Sequence, residues 1–102
     1  MKIICLFNLK EGVDVAEYEE WAKARDLPTV NGLGSVNAFS VHKATGVFGD
    51  DQARPHYDYI EIIDITTLDD FVGDISTDEF QAAAAPFQGY ADAPQFILTE
   101  DL

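Results

Sequence analysis

Residues 2–9, KIICLFNL, are a short apolar run rich in Ile and Phe and closed by Lys10-Glu11-Gly12, which predicts a strand. Ile3, Cys5, Phe7 and Leu9 alternate onto one face, Ile4 and Leu6 onto the other. A strand apolar on both faces needs cover on both sides of its sheet. Asp14, with Glu17 three residues on, is a capping box for a helix that runs to about Leu27, where Pro28 stops it. At about 100° per residue, Val15, Tyr18, Trp21, Ala22 and Arg25 share its apolar face, while Glu17, Glu20, Lys23 and Ala24 look away. Residues 28–34 form a turn region, and residues 35–45, SVNAFSVHKAT, a second strand. A loop over residues 46–55 carries the turn residues Gly46, Gly49, Asp50, Asp51 and Pro55. Residues 56–66, HYDYIEIIDIT, are the clearest strand and close a long-loop hairpin. Thr67-Leu68-Asp69-Asp70 opens a helix. Ser76-Thr77-Asp78-Glu79 fits a second capping box, so this helical region breaks near residues 73–76. Phe80, Ala83, Ala84 and Phe87 make its apolar stripe, Gly89 its C-cap, and QFILTEDL after Pro94 the last strand.

The order β-α-β-β-α-β is the split βαβ arrangement: an α+β fold, one domain over residues 1–102, with an antiparallel sheet and both helices on one face. The other face is bare, and a second copy of the sheet is its simplest cover. A homodimer is therefore expected.

Nineteen acidic residues against six basic ones give a formal net charge of −13. With no basic cluster to displace counterions, nucleic acid is excluded as a partner, and anionic membrane surfaces are disfavoured. The acidity is expected to serve solubility. The single cysteine, Cys5, forms no disulfide within the chain and sits in an apolar run as a small core residue. The N-terminal apolar stretch is too short for a signal peptide, and no run of about 18 apolar residues exists to span a membrane. The expected location is the cytoplasm.

The stretches YEEWAKARDLPTV (18–30), HYDYIEIIDIT (56–66) and FQGYADAPQFILTEDL (87–102) resemble the small REDY-like/HapK proteins, named from prodiginine-pigment gene clusters. The resemblance covers nearly the whole chain. It implies the dimeric α/β-barrel (ferredoxin-like) fold and a link to secondary metabolism, but no active site to carry over residue by residue. The wider superfamily includes cofactor-free monooxygenases, polyketide cyclases, dehydrochlorinases and haem-handling proteins, whose pocket lies between sheet and helices.

Tyr57, Tyr59 and Glu61 alternate onto one face of their strand, where two phenols and a carboxylate suit a hydroxylated or aromatic ligand, or else line a dimer interface. Glu61 becomes a base if burial raises its pKa. His42 is a second proton-transfer candidate, since imidazole titrates near neutrality; whether it shares that face depends on a register the long loop leaves open. The alternative is a surface histidine, as expected for His56. Tyr18 and Trp21 belong to the core or to a pocket wall, as do Phe87, Tyr90 and Phe96. Arg25, on the apolar face, either pairs with an anion such as Asp26, Glu61 or a ligand carboxylate, or reaches water. Neither histidine has a ligand partner at metal-binding spacing, no phosphate-binding Gly-rich loop exists, and G-x-S-x-G is absent. No metal or organic cofactor is expected. Three functions stay open: a cofactor-independent cyclase, isomerase or oxygenase acting on an apolar or aromatic intermediate; a carrier for such a molecule; or a structural accessory of a larger pathway enzyme. The first two require a concave pocket with polar groups among aromatics.

Overall fold

The computed structural model describes residues 1–102. Strand β1 (Lys2–Leu9) leads into a helical arm built of α1 (Val15–Trp21), a π-helical turn (Ala22–Asp26) and α2 (Leu27–Asn31). Then come β2 (Val36–Lys43), β3 (Tyr59–Ile65), α3 (Leu68–Ile75), α4 (Asp78–Tyr90) and β4 (Ala91–Leu98). The four strands form one antiparallel sheet in the order β2-β3-β1-β4, with the helices on one face, as the chain order predicts.

Asp14 caps α1 by accepting from the Ala16 N–H. Pro28 does not stop the arm. The Leu27 N–H reaches back five residues to the Ala22 carbonyl, so the change of hydrogen-bond phase falls beside the residue that has no N–H to give. The wide turn also alters which residues face the sheet. Tyr18, Ala22, Asp26 and Val30, each four apart, all point inward, whereas four-residue steps in a regular α-helix drift by about 40° each. Asp26 is therefore buried and Arg25 exposed, the reverse of the expectation from an unbroken helix.

Three boundaries differ from the sequence reading for identifiable reasons. The Ser76 hydroxyl donates back to the Val72 carbonyl and closes α3, so Thr77 rather than Ser76 caps α4, accepting from the Phe80 N–H. Gly89 is not a C-cap. The helix runs on to Tyr90 because Lys10 takes its last carbonyls, with its ammonium on Gln88 and its backbone N–H on Tyr90. Strand β4 then begins at Ala91, ahead of Pro94, and a bulge opposite Leu6 and Asn8 puts Ala93 at φ +43°.

The core forms in two parts. One gathers Ile3, Val36, Phe39, Ile63, Ile65 and Phe71 with Val30 of the arm. The other gathers Cys5, Phe7, Tyr18, Ala22, Tyr59 and Ala91. Phe7 is fully buried against Tyr18, Tyr59 and Phe87, with ring centroids 5.8, 5.5 and 5.1 Å away, and burial on that scale contributes roughly 1.5–3 kcal/mol. The seam between the two parts is acidic. Glu61 lies between Tyr59 and Ile63 on β3, and Asp26 between Ala22 and Val30 on the arm. On the opposite face of the sheet, alternation places Ile4, Leu6, Ile60, Ile62 and Ile97 together, uncovered by any helix.

Candidate functional site

Strand β3 is held between β1 and β2, so its inward side chains are fixed on both sides. Glu61 pairs with Cys5 on β1 and with Val41 on β2. It is 3% exposed, and its Oε2 has no hydrogen-bond partner. Burial pushes its carboxyl up to about 8, the charge of Asp26 adds to the rise, and the Cys5 thiol partly opposes it. Asp26, delivered by the π turn, is 9% exposed, and burial alone pushes it up to about 6. The same burial, with Glu61 next in importance, pushes the Cys5 thiol up to about 12, which keeps it a protonated core group. The Tyr18 hydroxyl is buried without a partner, and its pKa is raised by desolvation and then by the charges of Glu61 and Asp26. Four ionisable side chains thus crowd one seam with no cation among them.

The two carboxyls border a cavity of about 310 Å³ between the sheet and α4. Phe39 and Ile63 contribute from the sheet, and Pro94 and Phe96 from β4. Phe80, Ala84 and Phe87 close the helical side. Helix α4 has no fully buried residue: Phe80 and Phe87 pack against the two parts of the core and also face this space. Ala83, expected in that stripe, is exposed.

A smaller hollow of about 140 Å³ lies elsewhere along the arm, lined by Tyr18, Ala22, Leu27, Val41, Lys43 and Tyr59 among others. There the Tyr59 hydroxyl donates to Glu19 Oε2 at 2.6 Å, and the Lys43 ammonium meets the same oxygen at 2.9 Å. Desolvation, then the Glu19 hydrogen bond, keeps Tyr59 protonated by raising its pKa.

The residues singled out from sequence are therefore dispersed. Glu61 and Phe87 reach the larger cavity, while Tyr18 and Tyr59 reach the smaller one. Trp21 and Tyr90 pack at an angle beside Tyr18, with centroids 6.2 and 5.6 Å from its ring. His42 is on the other face of the sheet, opposite Ile60 and bonded to Ser40 Oγ at 2.9 Å. A bulge between Val36 and Ala38 decides this: it sets Phe39, Val41 and Lys43 on the helical side with Val36, and turns His42 away. Tyr57 precedes the strand and lines a loop hollow with Arg54, Pro55 and Asp58. Its neighbour Asp58 is held by the Phe7 carbonyl and the Asn8 side chain, which ends the alternation there. His56 is exposed, as expected. Arg25 meets neither acid. Asp26 was the residue missed as a site group; the spacing of Tyr18, Ala22, Asp26 and Val30 would have marked it had the helix been read through Pro28. No three His, Cys, Asp or Glu side chains are grouped to hold a metal ion.

An antiparallel sheet with split βαβ order and helices on one face defines a ferredoxin-like α+β architecture. The profile of REDY-like protein HapK matches residues 1–102, and the chain belongs to that family. The crystal structure of HapK from Hahella chejuensis is similar over 100% of this chain and 93% of that one, at 28% identity and a TM-score of 0.75. A dimeric ferredoxin-like protein of unknown function from Thermobifida fusca aligns over 94% and 85% of the two chains, at 18% identity and a TM-score of 0.67. SnoaB, a cofactor-independent oxygenase from Streptomyces nogalater, aligns over 99% and 93%, at 14% identity and a TM-score of 0.70. No curated protein matches the chain. No helix is long and apolar enough to cross a membrane.

Proposed function

We propose that the cavity under α4 holds an apolar or aromatic intermediate of secondary metabolism, and that Glu61 moves a proton there without a metal or organic cofactor. The observation that carries this reading is Glu61 itself: a carboxyl 3% exposed, with one oxygen unpartnered, on the wall of an apolar cavity. A carboxyl pushed up to about 8 is able to give or take a proton near neutral pH. Isomerisation or cyclisation needs no more than this. Glu61 takes a proton from one ligand atom and returns it to another, and the composition of the ligand is unchanged. Family membership supports the metabolic setting, and the similarity to SnoaB shows that this fold accommodates cofactor-independent chemistry. His42 has no part in this site, because it lies across the sheet.

The reading includes a homodimer formed through the uncovered face at Ile4, Leu6, Ile60, Ile62 and Ile97. The dimeric description of the Thermobifida fusca neighbour supports it.

Glu61→Gln keeps the side-chain shape and removes the titration. In the producing host it should cut the pathway product by about a hundredfold, with the upstream intermediate accumulating at unchanged protein level. Mass-spectrometric profiling of host extracts measures this. Unchanged output would overturn the catalytic role and leave a binding role for the cavity.

A further inference from the structure

Taking the cavity as the small-molecule site, on which this inference rests, we propose that its ligand carries a protonated or N–H-bearing nitrogen on a flat apolar frame. Asp26 and Glu61 hold that nitrogen together. The polar groups on the cavity wall are two carboxyls and the amides of Gln81 and Gln88; no Lys, Arg or His lines it. Glu61 Oε2 is buried with no donor, and Asp26 is 9% exposed on the facing arm. The charge of Asp26 counts against ionisation of Glu61. Three ligand chemistries compete for such a wall. A carboxylate or phosphate would add a negative charge to a seam that has no cation. A ketone or quinone oxygen has no hydrogen to give, so at neutral pH it leaves the ionised Asp26 carboxylate buried and unpaired. A nitrogen with two N–H groups, or a cation, satisfies both acids at once through charge-assisted bonds. No metal-holding group exists to take over that part. The other walls agree, since the faces and edges of Phe39, Phe80, Phe87 and Phe96 suit a flat and cationic guest.

The test uses the full-length protein at neutral pH with three probes of one shape: benzamidine, benzyl alcohol and benzoate. Methyl resonances of Val30 and Ile63 report binding in the cavity. Benzamidine should shift them with an affinity about tenfold or more above that of benzyl alcohol, and benzoate should not bind. D26N and E61Q should each remove that preference, and a folded methyl spectrum of each free variant shows that it keeps its cavity. Benzyl alcohol binding as well as benzamidine, or D26N and E61Q retaining the preference, would overturn the ligand class and leave the cavity as the site. No probe reaching the Val30 and Ile63 methyls would overturn both.

Discussion

Two acids on facing elements make this seam titrate in an unusual direction. Carboxyls in folded proteins are more often held below their ordinary values by donors or cations, but Glu61 and Asp26 are raised by burial. Their protonated forms are the ones folding favours. The stability they contribute is complete below the unfolded value of 3.8 for Asp26. It is lost as pH rises, through about 6 for Asp26 and from 4.5 to about 8 for Glu61. At roughly 1.4 kcal/mol per pKa unit, the loss is on the order of 3 kcal/mol for Asp26 and of 5 kcal/mol for Glu61. Thermal melts of the wild type should therefore fall from pH 5 to pH 9, and E61Q should flatten most of that fall and melt higher than the wild type at the alkaline end. An E61Q curve parallel to the wild type would mean that Glu61 is already ionised in the folded protein. Cys5, its cross-strand neighbour, is held protonated by the same surroundings, and slow reaction with thiol reagents should follow for as long as the fold is closed.

At the scale of elements, α4 is the loosest wall. It has no fully buried residue, carries Pro86 in its interior, and faces the cavity with Phe80, Ala84 and Phe87. Amides of α4 should exchange with solvent orders of magnitude faster than those of β1 and β3, which are each paired on both sides. Hydrogen exchange followed by mass spectrometry tests this, and equal protection would show α4 to be locked. What the sequence disclosed also sorts by element. Strands β1 and β3 were legible because their apolar alternation is set by burial, and the caps of α1 and α3 because Asp14 and Thr67 bond locally. The helical arm was not, because one π turn leaves composition unchanged and moves Asp26 in and Arg25 out. The bulge in β2 was equally silent, and with it the face of His42. Gly89 was misread because the carbonyls a glycine cap would satisfy are taken by Lys10, some 80 residues earlier in the chain and so invisible to local rules. The inward placement of Glu61 was legible because strand alternation reaches it without crossing either irregularity.

For the whole molecule, the proposed homodimer rests on the uncovered face. Ile4, Leu6, Ile60, Ile62 and Ile97 form an apolar sheet surface on a chain of net charge −13, whose like charges otherwise keep copies apart. Ile62→Asp sets a charge at the centre of that surface and leaves the helical core untouched. It should convert a dimer to a monomer in light scattering coupled to size exclusion, with the circular dichroism of the wild type. A persistent I62D dimer would place the interface elsewhere. The cavity lies on the opposite side of the sheet, so each protomer of such a dimer keeps its own complete site.

Occupancy of the cavity beneath α4 is tested most directly by native mass spectrometry. Wild-type protein and an Ala84→Phe variant, whose added ring fills the cavity, would be purified side by side from the producing host. A small molecule should be retained by the wild type and absent from A84F at the same oligomeric mass. A ligand carried equally by both, or by neither, would contradict that occupancy.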